Sequence, residues 1–572
     1  MILVGGLLVL GSWIAVTSFL ALVGIPFVIG REHRLTWMRL ASATWWGLAI
    51  VLLVGIVVSF VSPLRSVITG LVLTLVAVLL FALGAIRIRD ARLRVAKPRI
   101  RGAMWLAATL IALFYLGISA LGPVTHYDAG LYQVAATWYA ADFSVIPGIA
   151  NLYAPLGYGS GQPVLGALMG LGPWDDNGYR LVNGLFLSLL ALESTVRVWS
   201  RPRTAATAVS VAGTVLALAP MLWMADFWVA SPTPDVTVLA LSIATAVYLV
   251  DLVTSGSTSS GGAAVTASQR QIPMLVILSG LMIALRPTMI PFAALVLVVA
   301  AVIVLRRRAM PPLAPLASSA VLVAALVALG LFRDRVLSGW WLYPLSLLSF
   351  DVPWRASDPS GLRAATLGFA RNPQDFQSAI TGWDWIGPWT ARLTGQWEPW
   401  LFLVAVLASF AVLALAHSRG RQIEVGGLVV SGAPFALAIP VWFVWLPPAF
   451  RFGWGPLFGL TAVLVGWAVW RAGWSEALTY AAASALITVT ALSAFVKLDF
   501  EQPRQSASLL GIPYSYVPLP TPPVEEIRLD SGVKVLVPIE SDQCWARYPL
   551  CTPSPLPGLR FLGERLETGL VS

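Results

Sequence analysis

Apolar runs of about 20 residues recur along most of the chain, separated by short connections that carry arginine. A helix of that length crosses the hydrocarbon core of a bilayer. The pattern predicts about fourteen spans, near 2–30, 40–61, 66–86, 103–122, 179–198, 204–222, 233–253, 272–288, 289–305, 313–332, 397–416, 424–446, 453–471 and 474–496. The first run has no small-residue cleavage site and is followed at once by other spans, so it reads as an anchor. The expected fold class is an all-α polytopic membrane protein, with a transmembrane domain over 1–496 and an extracytoplasmic segment over 497–572.

Three stretches depart from plain spans. Within 123–178, the run "DAGLYQVAATWYAADF" places Leu131, Ala135, Trp138 and Phe143 roughly on one helical face, with Asp128 at the N-cap. With Tyr132, Trp138 and Tyr139 present, it predicts an amphipathic helix in the membrane interface. Residues 162–172 are apolar but too short to cross, and read as interfacial or re-entrant. The 333–396 loop is 64 residues long and rich in tryptophan, proline and aspartate, as in lids and binding surfaces. The tail from 497 has a strand-like run, "GVKVLVPI", and reads as a small ordered cap. Residues 255–269, "SGSTSSGGAAVTASQ", read as a flexible linker.

Composition removes the soluble alternatives. The chain of 572 residues is 58% hydrophobic and only 11% charged, against about 25% charged in soluble domains. The net charge of +10 raises the question of nucleic acid, and the placement of the 37 basic residues answers it. One set of short connections holds 20 of them, the opposite set only Arg65, Arg180, Arg286 and Arg451, and the other 13 lie in the long loop and the tail. Lysine and arginine collect on the cytoplasmic side of short loops. The charge is thus mainly a topology signal. It predicts a plasma-membrane protein with both termini extracytoplasmic, in contact with membrane lipids and with no nucleic-acid partner.

Asp128 in "THYDAGLYQ" leads the chemical candidates, with His126 and Tyr127 beside it. A carboxylate at a membrane mouth suits a general base; an N-cap aspartate is the other reading. Arg180, Arg286 and Arg451, in "NGYRLVNG", "IALRPTMIPF" and "PPAFRFGWG", stand at helix mouths. A guanidinium there can bind a phosphate through paired, charge-assisted hydrogen bonds, or snorkel to headgroups. His126, Tyr132 and Asp235 are candidate substrate contacts, and Asp235 also suits a helix N-terminus. Asp175 and Asp176 read as solvated turn residues, while Asp351, Asp358 and Asp384 suit sugar hydroxyls. Cys544 and Cys551 permit a disulfide around "CWARYPLC"; free thiols are the alternative. No Walker loop, HExxH, GxSxG or CxxC occurs, and the only histidines are His33, His126 and His417. No cofactor or metal site is expected, with a divalent cation left open. The spans read as nearly free of acids apart from Glu193, which counts against an ion-coupled carrier.

An acidic loop after an early span, an aromatic helix, and then "TPDVTVLAL", "ALRPTMIPF" and "PAFRFGWG" resemble the GT-C class of polytopic glycosyltransferases. The resemblance implies a polyprenyl-phosphate sugar donor, an exterior acceptor, and a catalytic aspartate in the first large exterior loop, where Asp128 is the matching residue. Many members show a paired acidic motif there, whereas "HYDAGLY" has one aspartate, so no metal site is carried over. The tail "DQCWARYPLCTPSPLPGLRFLGERLETGL", together with "SGWWLYPLSLLSFDVPW", resembles an uncharacterised bacterial family of large membrane proteins with a C-terminal cysteine signature.

The expectation is an inverting transferase. Asp128 would be its base, and Arg286 with Arg180 or Arg451 would hold the donor phosphate. The acceptor would be an envelope glycan, lipid or protein. The rivals are a lipid or glycan translocator or export subunit, which would string arginines along a polar path through the spans, and a membrane scaffold.

Overall fold

The structure is a computed structural model that describes residues 1–29, 34–88, 92–93, 100–200, 204–255, 262–308, 310–422 and 424–572. Arg31, His33, Arg89, Arg94, Lys97, Arg99, Arg201 and Arg203 lie outside the described residues. Of the linker expected over 255–269, residues 256–261 also lie outside them. Residues 262–269 correct that reading: they form the first turns of a helix, Gly262–Leu285, in keeping with the alanines of "GAAVTAS".

Each of the fourteen predicted spans coincides with a long helix, from Ile2–Val28 through Asp235–Thr254 to Glu476–Val496. Among the described residues, 13 helices are long and apolar enough to cross a membrane. Within the fourteenth, Gly262–Leu285, the apolar stretch is Gln271–Leu285 among the described side chains. The outer helices turn leucine and valine outward, as at Leu71 (65% exposed) and Val321 (69%). Such a surface is stable only against lipid. The chain is a multi-pass membrane protein.

The Asp235–Thr254 helix is the centre of the bundle, buried along its length between Ala205–Trp223, Gly262–Leu285 and Trp454–Ala472. Ile2–Val28 and Trp37–Ser59 cross so closely that a Cβ at Gly24 or Gly47 would lie 1.9 Å from a carbonyl oxygen of the other helix. Small residues allow this approach where no hydrophobic drive separates helix from lipid.

The irregular segments gather at one end of the bundle. The short helix Gln162–Met169, in the stretch expected to be interfacial or re-entrant, is buried, with Val164 and Leu168 against Gly55 of the Trp37–Ser59 helix. The long loop carries helices Pro359–Arg371 and Ile386–Leu393, and its Trp389 packs against Trp442 and Phe443. Asp351, Asp358 and Asp384 are exposed, and Asp358 caps its helix by accepting from the Gly361 amide at 2.8 Å.

The tail forms three antiparallel hairpins, among them Val524–Arg528 with Lys534–Pro538, the run expected as a strand. Cys544 and Cys551 form a disulfide. The tail joins the bundle where the Val517 amide donates to the Leu121 carbonyl at 2.9 Å.

Candidate functional site

Asp128 precedes a π-helical turn, Ala129–Gln133, that runs into the helix Val134–Asp142. Such wide turns frequently mark functional positions. The aspartate side chain does not cap the turn. Its Oδ2 instead accepts from Arg451 Nη2 at 2.8 Å, and Oδ1 takes no hydrogen bond among the described residues. The capping reading therefore gives way to an ion pair between groups 323 residues apart in sequence.

Arg451 lies in the turn Phe450–Gly453 that leads into the Trp454–Ala472 helix. Its Nη1 is 2.7 Å from His126 Nε2. A guanidinium can only donate, so Nε2 accepts and the imidazole proton sits on Nδ1. That Nδ1 is buried and has no hydrogen-bond partner among the described residues. His126 is fully buried between Phe227, 4.7 Å away, and Trp228, 5.3 Å away. Burial first, and the positive charge of Arg451 second, push its pKa down to about 4. The histidine is neutral at physiological pH.

A second pair stands beside the first. Arg286 occupies the extended break between Gly262–Leu285 and the turn Pro287–Met289, where Pro287 prevents the helix from continuing. Its Nη1 donates to Asp235 Oδ1 at 2.5 Å, while Thr233 Oγ1 donates to the other oxygen at 2.5 Å. The guanidinium carbons of Arg286 and Arg451 lie 4.5 and 5.0 Å from the centroid of the same Phe452 ring. One phenyl ring thus carries two cations, each paired with one carboxylate.

Exposure is graded across the cluster, with side chains 26% exposed at Arg451, 19% at Asp128, 13% at Arg286 and 2% at Asp235. The Asp128 pair is the more exposed of the two and the Asp235 pair the more buried. From the π turn, the Tyr132 ring meets Tyr158 at 5.9 Å, and Tyr158 meets Tyr343 of the long loop at 5.9 Å. Burial pushes the Tyr132 hydroxyl far up and that of Tyr158 up to about 12, and the charge of Asp128 reinforces both. These phenols stay neutral and can donate.

Arg180 is a correction. It is fully buried, and its guanidinium is committed to the carbonyls of Ala120 (3.2 Å), Gly122 (2.6 Å) and Val517 (2.8 Å) and to Asn177 Oδ1 (3.0 Å). It ties a helix end to the tail and does not join the cluster. Asp175 and Asp176 are exposed but not free, since both bind Arg65. Asp251, overlooked when the spans were read as nearly free of acids, is a second buried carboxylate near Glu193, joined to it through Arg197. Phe452, the partner of both cations, has no separate signal beyond the "FRF" triplet. Among the described residues, no group of three or more histidine, cysteine or acidic side chains is arranged to hold a metal ion.

Residues 7–458 match the model of a family described as a domain of unknown function, DUF8201. The chain belongs to that family. No curated protein and no solved structure matches it. The stretch matched to DUF8201 contains His126, Asp128, Asp235, Arg286 and Arg451.

Proposed function

We propose that this DUF8201 protein is an inverting membrane glycosyltransferase that takes a sugar from a polyprenyl-phosphate donor and places it on an extracytoplasmic hydroxyl acceptor. The observation that carries the reading is the partly exposed Asp128–Arg451 pair beside Arg286, with one aspartate oxygen unspent.

In this mechanism the acceptor hydroxyl attacks the anomeric carbon and its proton passes to Asp128 Oδ1. The bond from the anomeric carbon to the phosphate oxygen breaks, and the lipid phosphate leaves. Arg451 holds the carboxylate in place, and the unspent donors of Arg286 face the growing charge on the leaving group. The neutral His126 Nδ1–H and the Tyr132 hydroxyl are further donors for sugar oxygens. The site, the tail and both termini then lie on the extracytoplasmic side of the plasma membrane, as the arginine distribution requires.

A translocator would need polar groups through the bundle. Instead, Asp235 and Asp251 stand at the two ends of one helix, and the buried residues between them are apolar or hydroxyl-bearing. The test is incubation of the purified protein with radiolabelled polyprenyl-phosphate sugars and membrane extract. Label should pass to an acceptor with the wild type and not with Asp128→Asn. Full transfer by that variant removes the assignment.

A further inference from the structure

The residues that lead into and close the disulfide ring are wrapped onto the segment that bears Asp128. Asp542 accepts a hydrogen bond from the Tyr127 hydroxyl. Gln543 Nε2 donates to the Tyr127 carbonyl at 2.7 Å. The Trp545 amide donates to the Gly130 carbonyl at 3.0 Å, inside the π turn. The Trp545 ring lies over Gly130 so closely that a Cβ there would be 2.2 Å from it. Farther round the ring, Tyr548 packs on Trp138 and Tyr139 at 5.7 and 4.8 Å, and the Leu550 amide donates to the Tyr139 hydroxyl at 3.1 Å. Cys544 and Cys551 close the loop that presents these groups. The helix face expected to rest in the membrane interface is thus covered in part by the protein's own tail.

We propose that this ring, with Asp542, Gln543 and Trp545 at its entrance, is a positioning element for Asp128. It fixes the 126–134 segment so that the carboxylate meets Arg451. Among the described residues none of the ring's side chains hydrogen-bonds the Asp128 carboxylate, whose partner is Arg451, so they act through the backbone they hold. The cross-link restricts the eight-residue loop and so keeps the donors in place. Only the effect on turnover rests on the transferase reading; the effect on local order does not.

The experiment is amide hydrogen exchange on the full-length protein in lipid nanodiscs. It compares wild type with Gly130→Ala, Trp545→Ala, Trp545→Phe and Cys544→Ser/Cys551→Ser. Exchange over 126–134 should rise about tenfold, the loss of one to two hydrogen bonds, in Gly130→Ala, Trp545→Ala and the double cysteine variant. It should stay unchanged in the Asp235–Thr254 helix. Trp545→Phe, which keeps a ring over Gly130, should restore protection. Gly130→Ala leaves the disulfide intact, so failure of the cysteine variant to fold does not decide the matter.

Unchanged exchange in both Gly130→Ala and Trp545→Ala overturns the proposal. In the transfer assay, Gly130→Ala should lower kcat about tenfold with KM retained. A normal exchange pattern in a fully active Asp128→Asn protein would sink the transferase reading and leave the positioning role standing.

Discussion

The Asp235–Thr254 helix joins two clusters of arginine and carboxylate that differ in almost every physical respect. At its start lie Asp235–Arg286 and, beside them, Asp128–Arg451–His126. Sixteen residues on, roughly 24 Å along the axis at 1.5 Å per residue, Asp251 meets Arg197, which also binds Glu193. In the second cluster the three side chains are at most 5% exposed, and both Glu193 oxygens are taken, one by Arg197 and the other by Trp45 Nε1 at 3.0 Å. In the first, Asp128 keeps a free oxygen, His126 keeps a free N–H, and the leading pair is about a fifth to a quarter exposed. Buried ions that satisfy one another hold helices together, whereas the partly exposed pair keeps unspent hydrogen-bonding capacity, the feature on which the proposed chemistry rests.

The sharpest way to break this contrast is Asp128→Asn. It should lower transfer by about 10²–10⁴-fold, the range for loss of a general base, with little change in thermal stability, because the amide can still accept from Arg451. A drop in melting temperature matching that of a far-end variant would place both clusters in one structural class.

The counterpart is Glu193→Ala. It strips two hydrogen bonds from Arg197, which is fully buried, and should cost about 3–5 kcal/mol of stability. Thermal unfolding in detergent checks it. A stable Glu193→Ala protein would mean that the far cluster does not hold its helices.

His126 sharpens the comparison by pH. Its folded pKa of about 4 lies below the ordinary value of about 6.5, so the unfolded chain takes up the proton first as pH falls. The stability it contributes is complete above pH 6.5 and is lost as pH falls to 4, by roughly 3 kcal/mol at most. His126→Asn should flatten the stability profile across that window. The far cluster contains no histidine among its described members, so Glu193→Ala should leave the slope unchanged.

How much of this was legible in the sequence depends on the range of the interaction. Spans follow from local hydropathy, and the fourteen predicted runs coincide with helices whose ends differ by a few residues, except that Gly262–Leu285 starts ten residues earlier than its predicted run. The burial of the short helix Gln162–Met169 is not legible, because an apolar octapeptide reads the same whether lipid or protein covers it. Asp128 stood out by position, but its partner is 323 residues away. Arg180 and Arg451 look alike in sequence, each at a helix mouth. Only the fold shows that carbonyls consume one while a carboxylate and an imidazole share the other. The tail's grip on Tyr127 and Gly130 spans more than 400 residues and left no local trace.

The smallest effect comes from a third arginine cluster, which calibrates the other two. Arg65 binds Asp142 at 2.6 Å and Asp175 at 2.5 Å, and also binds Asp176. These acids are 30%, 75% and 58% exposed, so water and salt screen the pairs that burial would strengthen. Asp175→Asn leaves Arg65 two other carboxylates and should change stability by under about 1 kcal/mol, with transfer unaltered. If thermal unfolding showed a loss as large as that of Glu193→Ala, exposure would not be what separates the clusters, and the functional weight placed on the open Asp128 pair would lose its physical basis.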